Sequence, residues 1–215
     1  NMTLNQDLLI TGNGTATFNL AGVISGSGRA ITKTGTSTVN LNGANTFSGA
    51  TTINAGILNL GNVNAIQNSS SVSIASSGAT LELGVSGTFV TPTPLSLTGS
   101  GFAGPSHIGV LYFVNNPTLN AALTLTGSGT TISSFGISSA PTLNGAIGGT
   151  GPLTMSARGG NAATHTAVWT LGAASTYSDN TIMKNDGALL DATFKLGVAN
   201  ALPVTTSLNL LGSVS

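Results

Sequence analysis

The sequence predicts an all-β chain wound as a parallel β-solenoid, and three observations carry that prediction. Apolar residues alternate with polar ones in short bursts, as in Val39/Leu41 and Leu58/Leu60. A Gly or Asn closes each burst before helical spacing can build up, which is the pattern of short strands joined by tight turns. Blocks of sequence also recur at long range in unchanged order, and the distance between copies grows along the chain, from 115 (Thr3 to Thr118) to 136 (Gly61 to Gly197).

The recurring blocks set the organisation. Thr3-Leu4-Asn5 with Thr11-Gly12-Asn13-Gly14-Thr15 returns as Thr118-Leu119-Asn120 with Thr126-Gly127-Ser128-Gly129-Thr130. Leu20 to Gly28 returns as Leu143 to Gly151, and Gly61 to Ile66 as Gly197 to Leu202. Val39-Asn40-Leu41 with Asn45-Thr46-Phe47-Ser48 returns as Trp169-Thr170-Leu171 with Ser175-Thr176-Tyr177-Ser178. Insertions fall between blocks, one over Arg158 to His165 and one near Lys184 to Gly187. The expected organisation is one continuous solenoid, with a first long repeat over 1–117 and a second, truncated one over 118–215. A chain that opens on Asn1 and stops mid-unit at Ser215 reads as a piece of something longer, with any export signal or anchor outside it.

A finer echo sets the coil size. Leu95 to Gly101 and Leu123 to Gly129 lie 28 apart, which suggests coils of roughly 20–30 residues. A β-sandwich would need hairpins, for which Asn13-Gly14, Asn42-Gly43 and Asn144-Gly145 are the available signals. A propeller would need a blade repeat of about 40–50 residues, which the chain lacks. Drifting offsets favour the solenoid, because each coil contacts only its neighbours and insertions can be confined to corners. Roughly eight to ten coils at about 4.8 Å would give a rod on the order of 40–50 Å long.

Composition excludes several function classes. The 215 residues carry a formal net charge of +0, are 40% hydrophobic and only 5% charged, so a core is affordable and disorder is disfavoured. Five Lys and Arg cannot track a phosphate backbone, so no nucleic-acid partner is expected. With Cys 0, disulfides, thiol catalysis and Cys-based metal sites are excluded, and the lack of cysteine suits a chain exported unfolded. No apolar run reaches the roughly 18–20 residues of a spanning helix, so no membrane insertion is expected within this segment.

The stretch from Lys33 to Leu60 resembles the autotransporter-associated β-strand repeat of passenger domains in secreted bacterial surface proteins. Lys33, Thr34, Gly35, Thr38, Leu41, Gly43, Asn45, Thr46, Gly49, Thr51, Ile53, Gly56 and Leu58 fit its pattern, and Phe47 stands in place of Tyr. Ser37 and Val39 replace the usual Gly and Leu. The likeness is good over 20–84 and degraded over 118–215, where Ser175 and Asp179 replace the motif Asn and Gly. It implies a right-handed parallel β-helix on the cell exterior and motif residues that are structural. On that fold Gly35, Gly43, Gly49 and Gly56 would supply positive φ at corners. Asn45 would take a left-handed corner or bond its own backbone, stacked copies forming a ladder, and outward Thr would pair along the stack.

Candidate chemistry is sparse. Asp179, Asp186 and Asp191 are the only acidic cluster, and a polysaccharide lyase or hydrolase would need them converging on one face with a base such as Lys184 or Lys195. Carboxylates more than about 10 Å apart would defeat that reading. His107 and His165 have no metal-ligand spacing, and Gly148-Gly149-Thr150-Gly151 lacks the lysine and helix of a phosphate loop. A carbohydrate-binding module would expose Trp169 and Tyr177, whereas Trp169 occupies the slot of inward Val39. Val110-Leu111-Tyr112-Phe113-Val114 is the most hydrophobic window, a core strand or an edge for self-association through Val110, Tyr112, Phe113 and Val114. No catalytic residue, metal or cofactor is expected. The expected role is a structural, non-enzymatic segment of a secreted bacterial surface protein, serving adhesion, display or extracellular assembly. Its partner would be itself, with carbohydrate or a host surface as the other contacts such a rod would meet.

Overall fold

The computed structural model describes residues 1–91, 94–103, 109–127, 129–136, 138–158, 166–186 and 191–212, with Asp191 described through its backbone alone. The described residues form strands and turns without a helix, and every strand pairing among them is parallel. Among the described residues the rungs climb in one direction and no hairpin folds back, so the chain is a β-solenoid.

Each coil runs in turn through three sides. The first side is a seven-stranded sheet from Leu8–Ile10 to Ile147–Thr150, and the second a nine-stranded sheet from Thr17–Leu20 to Leu208–Leu211. The third side begins as the two-stranded pair Met2–Thr3 and Ile24–Ser25 and resumes as a five-stranded sheet from Gly87–Phe89 to Asp191–Leu196. Between those two sheets its rungs are irregular. At about 4.8 Å per rung the nine-stranded sheet is roughly 40 Å tall. Side chains bonded across neighbouring rungs are 18 to 30 residues apart in sequence, the span of one coil.

Period-two alternation decides what enters the bore. On the second side Val39, Leu58, Leu81, Leu111 and Ile132 stack as one inward column, each fully buried. On the first side Ile31, Val72, Leu95, Leu123 and Ile147 stack likewise, with Thr51 between Ile31 and Val72. Residues between inward positions face out, and most of them are small and polar, with Glu82, Tyr112 and Lys184 as exceptions on the second side. Asn19, Asn40 and Asn59 form an outward ladder in which Asn40 Nδ2 donates to Asn19 Oδ1 at 2.6 Å and Asn59 Nδ2 to Asn40 Oδ1 at 3.1 Å. Outward hydroxyls pair too, Thr98 with Thr126 at 2.6 Å and Ser73 with Thr52 at 3.5 Å.

The long repeats do not sit over one another throughout. Leu8–Ile10 and its counterpart Leu123–Thr126 share the first side. Beyond them every block moves on by one side. Val39 lies on the second side and its counterpart Trp169 on the third, while Thr51–Ile53 lies on the first and Thr181–Asn185 on the second. The extra residues that raise the offset from Thr3/Thr118 to Leu20/Leu143 therefore add a whole side, the second-side strand Thr130–Phe135, and carry Leu143 on to the third. A strand ending in a turn fits any side, because all three demand the same in–out alternation.

Truncating an inward leucine tests this stacking. Leu58→Ala or Leu81→Ala should cost about 2–5 kcal/mol of stability, and the outward Thr52→Ala less than about 1 kcal/mol. Denaturant midpoints followed by circular dichroism would check the contrast.

Candidate functional site

Lys33 opens the motif and lies inside the molecule. It occupies an inward column between Ile10 and Ile53 and is fully buried. Its ammonium turns back to the corner after its own strand, where Nζ donates to Thr34 O at 2.9 Å, Gly35 O at 2.7 Å and Ala55 O at 3.1 Å. An ammonium has three donors, so the three carbonyls satisfy it completely and tie one corner to the next. Burial lowers its pKa from the ordinary lysine value. Gly35 and Gly56 turn these corners at φ 73° and 70°. A Cβ on Gly56 would stand 2.4 Å from Gly35 O and 2.8 Å from the Lys33 ammonium, so only glycine fits beside the charge.

Gly43 and Gly49 differ from the expectation of positive φ, which neither adopts. Their constraint is close approach. A Cβ would lie 2.5 Å from Gly22 O at Gly43 and 2.3 Å from Arg29 C at Gly49, both in the preceding rung.

Asn45 also departs from its expected role, since it neither takes a left-handed conformation nor bonds its own backbone. Ile24 N donates to Asn45 Oδ1 at 2.8 Å and Asn45 Nδ2 donates to Ala65 O at 2.9 Å, both bonds buried. One side-chain amide thus joins three successive rungs where the third side has no strand pairing. It acts as a peptide group would, one acceptor below and one donor above. Phe47 fills the bore beside it, and buried Thr51 meets Ser69 through their hydroxyls at 2.7 Å. At the corresponding place in the second repeat Ser175 Oγ still accepts from Ile147 N at 3.3 Å, and its own N–H donates to Asn200 O.

The aspartates do not converge. Asp179 accepts from Asn180 N as a local turn, and the strand Thr181–Asn185 separates it from Asp186 by about 20 Å at the rise of an extended chain. Asp186 Oδ2 takes Lys184 Nζ at 2.5 Å and Ser156 Oγ at 3.0 Å. Asp191 enters a different sheet, paired with Thr166. His107, His165 and Gly187, with residues 159–165 of the first insertion, lie outside the described residues. Among the described residues no group of three or more His, Cys, Asp or Glu comes together.

Trp169 and Tyr177 are buried, Trp169 edge-on to Phe113 at 5.1 Å and Tyr177 with its hydroxyl on Thr181. Neither offers a face to sugar. Val110, Tyr112 and Phe113 are buried as well, and Leu111–Val114 pairs on both flanks, with Ala79–Leu83 and Thr130–Phe135. That window therefore presents no free edge. Tyr112 faces outward and stacks on Phe135 at 6.5 Å, its hydroxyl pKa raised by desolvation first and then by Glu82, against a lowering by Arg158. An asparagine ladder was expected at Asn45 and stands instead at Asn19, Asn40 and Asn59, where the triplets Phe18-Asn19-Leu20, Val39-Asn40-Leu41 and Leu58-Asn59-Leu60 announce it.

Two substitutions separate these ties. Asn45→Ala leaves the Ile24 N–H and the Ala65 carbonyl buried without partners and should cost about 2–4 kcal/mol, with Asn45→Ser losing less because it keeps an acceptor. Lys33→Met keeps the bore filled but strands three carbonyls, and should lower the melting midpoint. Thermal unfolding would check both.

Comparison with known families finds a match to the motif. The passenger-associated-transport-repeat matches residues 31–60, the stretch that holds Lys33, Gly35, Asn45 and Gly56. No curated protein and no solved structure gave a match. The chain thus carries, over these residues, a repeat similar to those of transported passenger segments.

Proposed function

We propose that this chain is a non-catalytic structural segment of a secreted bacterial surface protein, a stiff rod that extends or spaces what it carries outside the cell. The observation that carries this reading is the use made of the motif. Lys33, Asn45, Gly35 and Gly56 all spend their chemistry on joining one rung to the next, and none faces solvent as a reactive or ligand-binding group. The matched repeat supports export, and the absence of cysteine in a chain that must cross membranes unfolded agrees with it.

The lyase or hydrolase alternative has less support, because Asp179 and Asp186 lie at opposite ends of one strand and Asp186 is held by Lys184 and Ser156. Adhesion or display would fall to segments carried on the rod.

Two measurements test the proposal. Incubation with neutral and uronate polysaccharides should release no reducing ends or unsaturated products. Turnover that disappears in Asp186→Asn would overturn it. Protease shaving of intact cells making the parent protein should release peptides from this segment, and their retention inside the cell would contradict the exported role.

A further inference from the structure

Among the described residues Lys33 is the only charged side chain that is buried. Its three acceptors do not come together at once. Thr34 O and Gly35 O belong to its own corner, whereas Ala55 O belongs to the corner of the next coil, 22 residues on. Before that coil is laid down, Ile31–Lys33 is an edge rung without Thr51–Ile53 above it, and the ammonium still reaches water. Docking the coil sets Ile53 over Lys33 and encloses the charge. Water has to leave as the last acceptor arrives, and an ammonium caught between the two is short of partners.

The slot itself does not require a charge. The strand after Gly28 begins Ile31-Thr32-Lys33, and the strand after the corresponding Gly151 begins Leu153-Thr154-Met155, with the same in–out alternation. Met155 is fully buried at the place of Lys33.

We infer that Lys33 is a kinetic checkpoint on winding. The coil that carries Thr51–Ile53 and Gly56–Leu60 docks slowly because it must desolvate an ammonium, and the solenoid stays open there longer than an apolar bore would allow. This rests on the reading of the chain as an exported segment, in which late closure keeps the polypeptide extended until it has left the cell. Each coil packs only on its neighbours, so one slow docking step delays whatever stacks across it. Nearby ties load the same step. Asn45 Nδ2 needs Ala65 O and the Thr51 hydroxyl needs Ser69, partners that arrive as that coil is laid down. The finished cage is fully bonded, so the delay belongs to the barrier and not to the native state. A methionine in the slot would be drawn inward by its own burial.

Refolding of the 215-residue chain from denaturant gives the test, with Trp169 fluorescence reporting closure of the bore. Pulses of an amine-acylating reagent during refolding, read by mass spectrometry, follow the chain's three lysines. Lys33 should stay reactive through the early phases and become protected only with the slowest one, while exposed Lys195 remains reactive throughout as the reference. Lys33→Met should refold roughly tenfold faster, the worth of one hydrogen bond to a charged donor left unmade at the barrier, although its native state melts earlier. Protection of Lys33 in an early phase overturns the inference. So does a Lys33→Met variant that refolds no faster than the wild type. Should that variant fail to fold, the labelling of the wild-type chain decides alone. Neither readout depends on where the protein resides, which protease shaving of cells reads separately.

Discussion

Everything in this fold depends on the parallel backbone hydrogen bonds between successive rungs. They need no particular side chain, only extended backbone and a neighbour one coil away, so the sequence is left to settle two matters: what fills the bore, and how each corner turns. The inward columns answer the first with Leu, Ile, Val and Phe. The second is harder, since a corner has no ladder to satisfy its carbonyls, and it is there that the unusual residues collect. Lys33 spends its charge on three corner carbonyls, and Asn45 lends its amide where the third side has no strands.

These two residues show why polar groups in the bore are not defects. A buried ammonium is costly unless all its donors are met, and a buried amide likewise. The ammonium has all three donors met and the amide is bonded at both its oxygen and its nitrogen, and each bond reaches a main-chain group. The side chains therefore stand in for pieces of backbone. Where the second repeat carries Ser175 in place of Asn, the tie falls on the first side, just past its last strand Ile147–Thr150. The side-chain acceptor survives there, and the reach to the following rung passes to the Ser175 main-chain N–H, which donates to Asn200 O.

How much of this could be read from the sequence follows from the same division. Alternation, corner glycines and the Lys33 to Leu60 motif were legible because each is local, and the solenoid followed from them. Three things were not. The bonding of Lys33 was hidden, since a strand pattern shows which residues share a face but not that an ammonium can curl back to its own corner. Asn45 bonds residues about one coil away on either side, a distance that no local pattern encodes. The shift by one side in the second repeat left no mark, because Val39 and Trp169 satisfy the same inward rule on different sheets. Gly43 and Gly49 were legible as glycines and misread in cause: the rung below, not the backbone angle, excludes a side chain there.

The scarcity of charge has the same origin. Stacking places like residues over one another, so a charged outward column would set equal charges about 4.8 Å apart along the axis. Even in bulk water such a pair repels by about 0.9 kcal/mol, and by more near the protein surface. A column repeats the penalty at every rung. Asn, Thr and Ser turn it into attraction, since each can donate to the copy below and accept from the copy above, as Asn19, Asn40 and Asn59 do. A chain built this way gains cohesion with every rung and meets no electrostatic limit on its height.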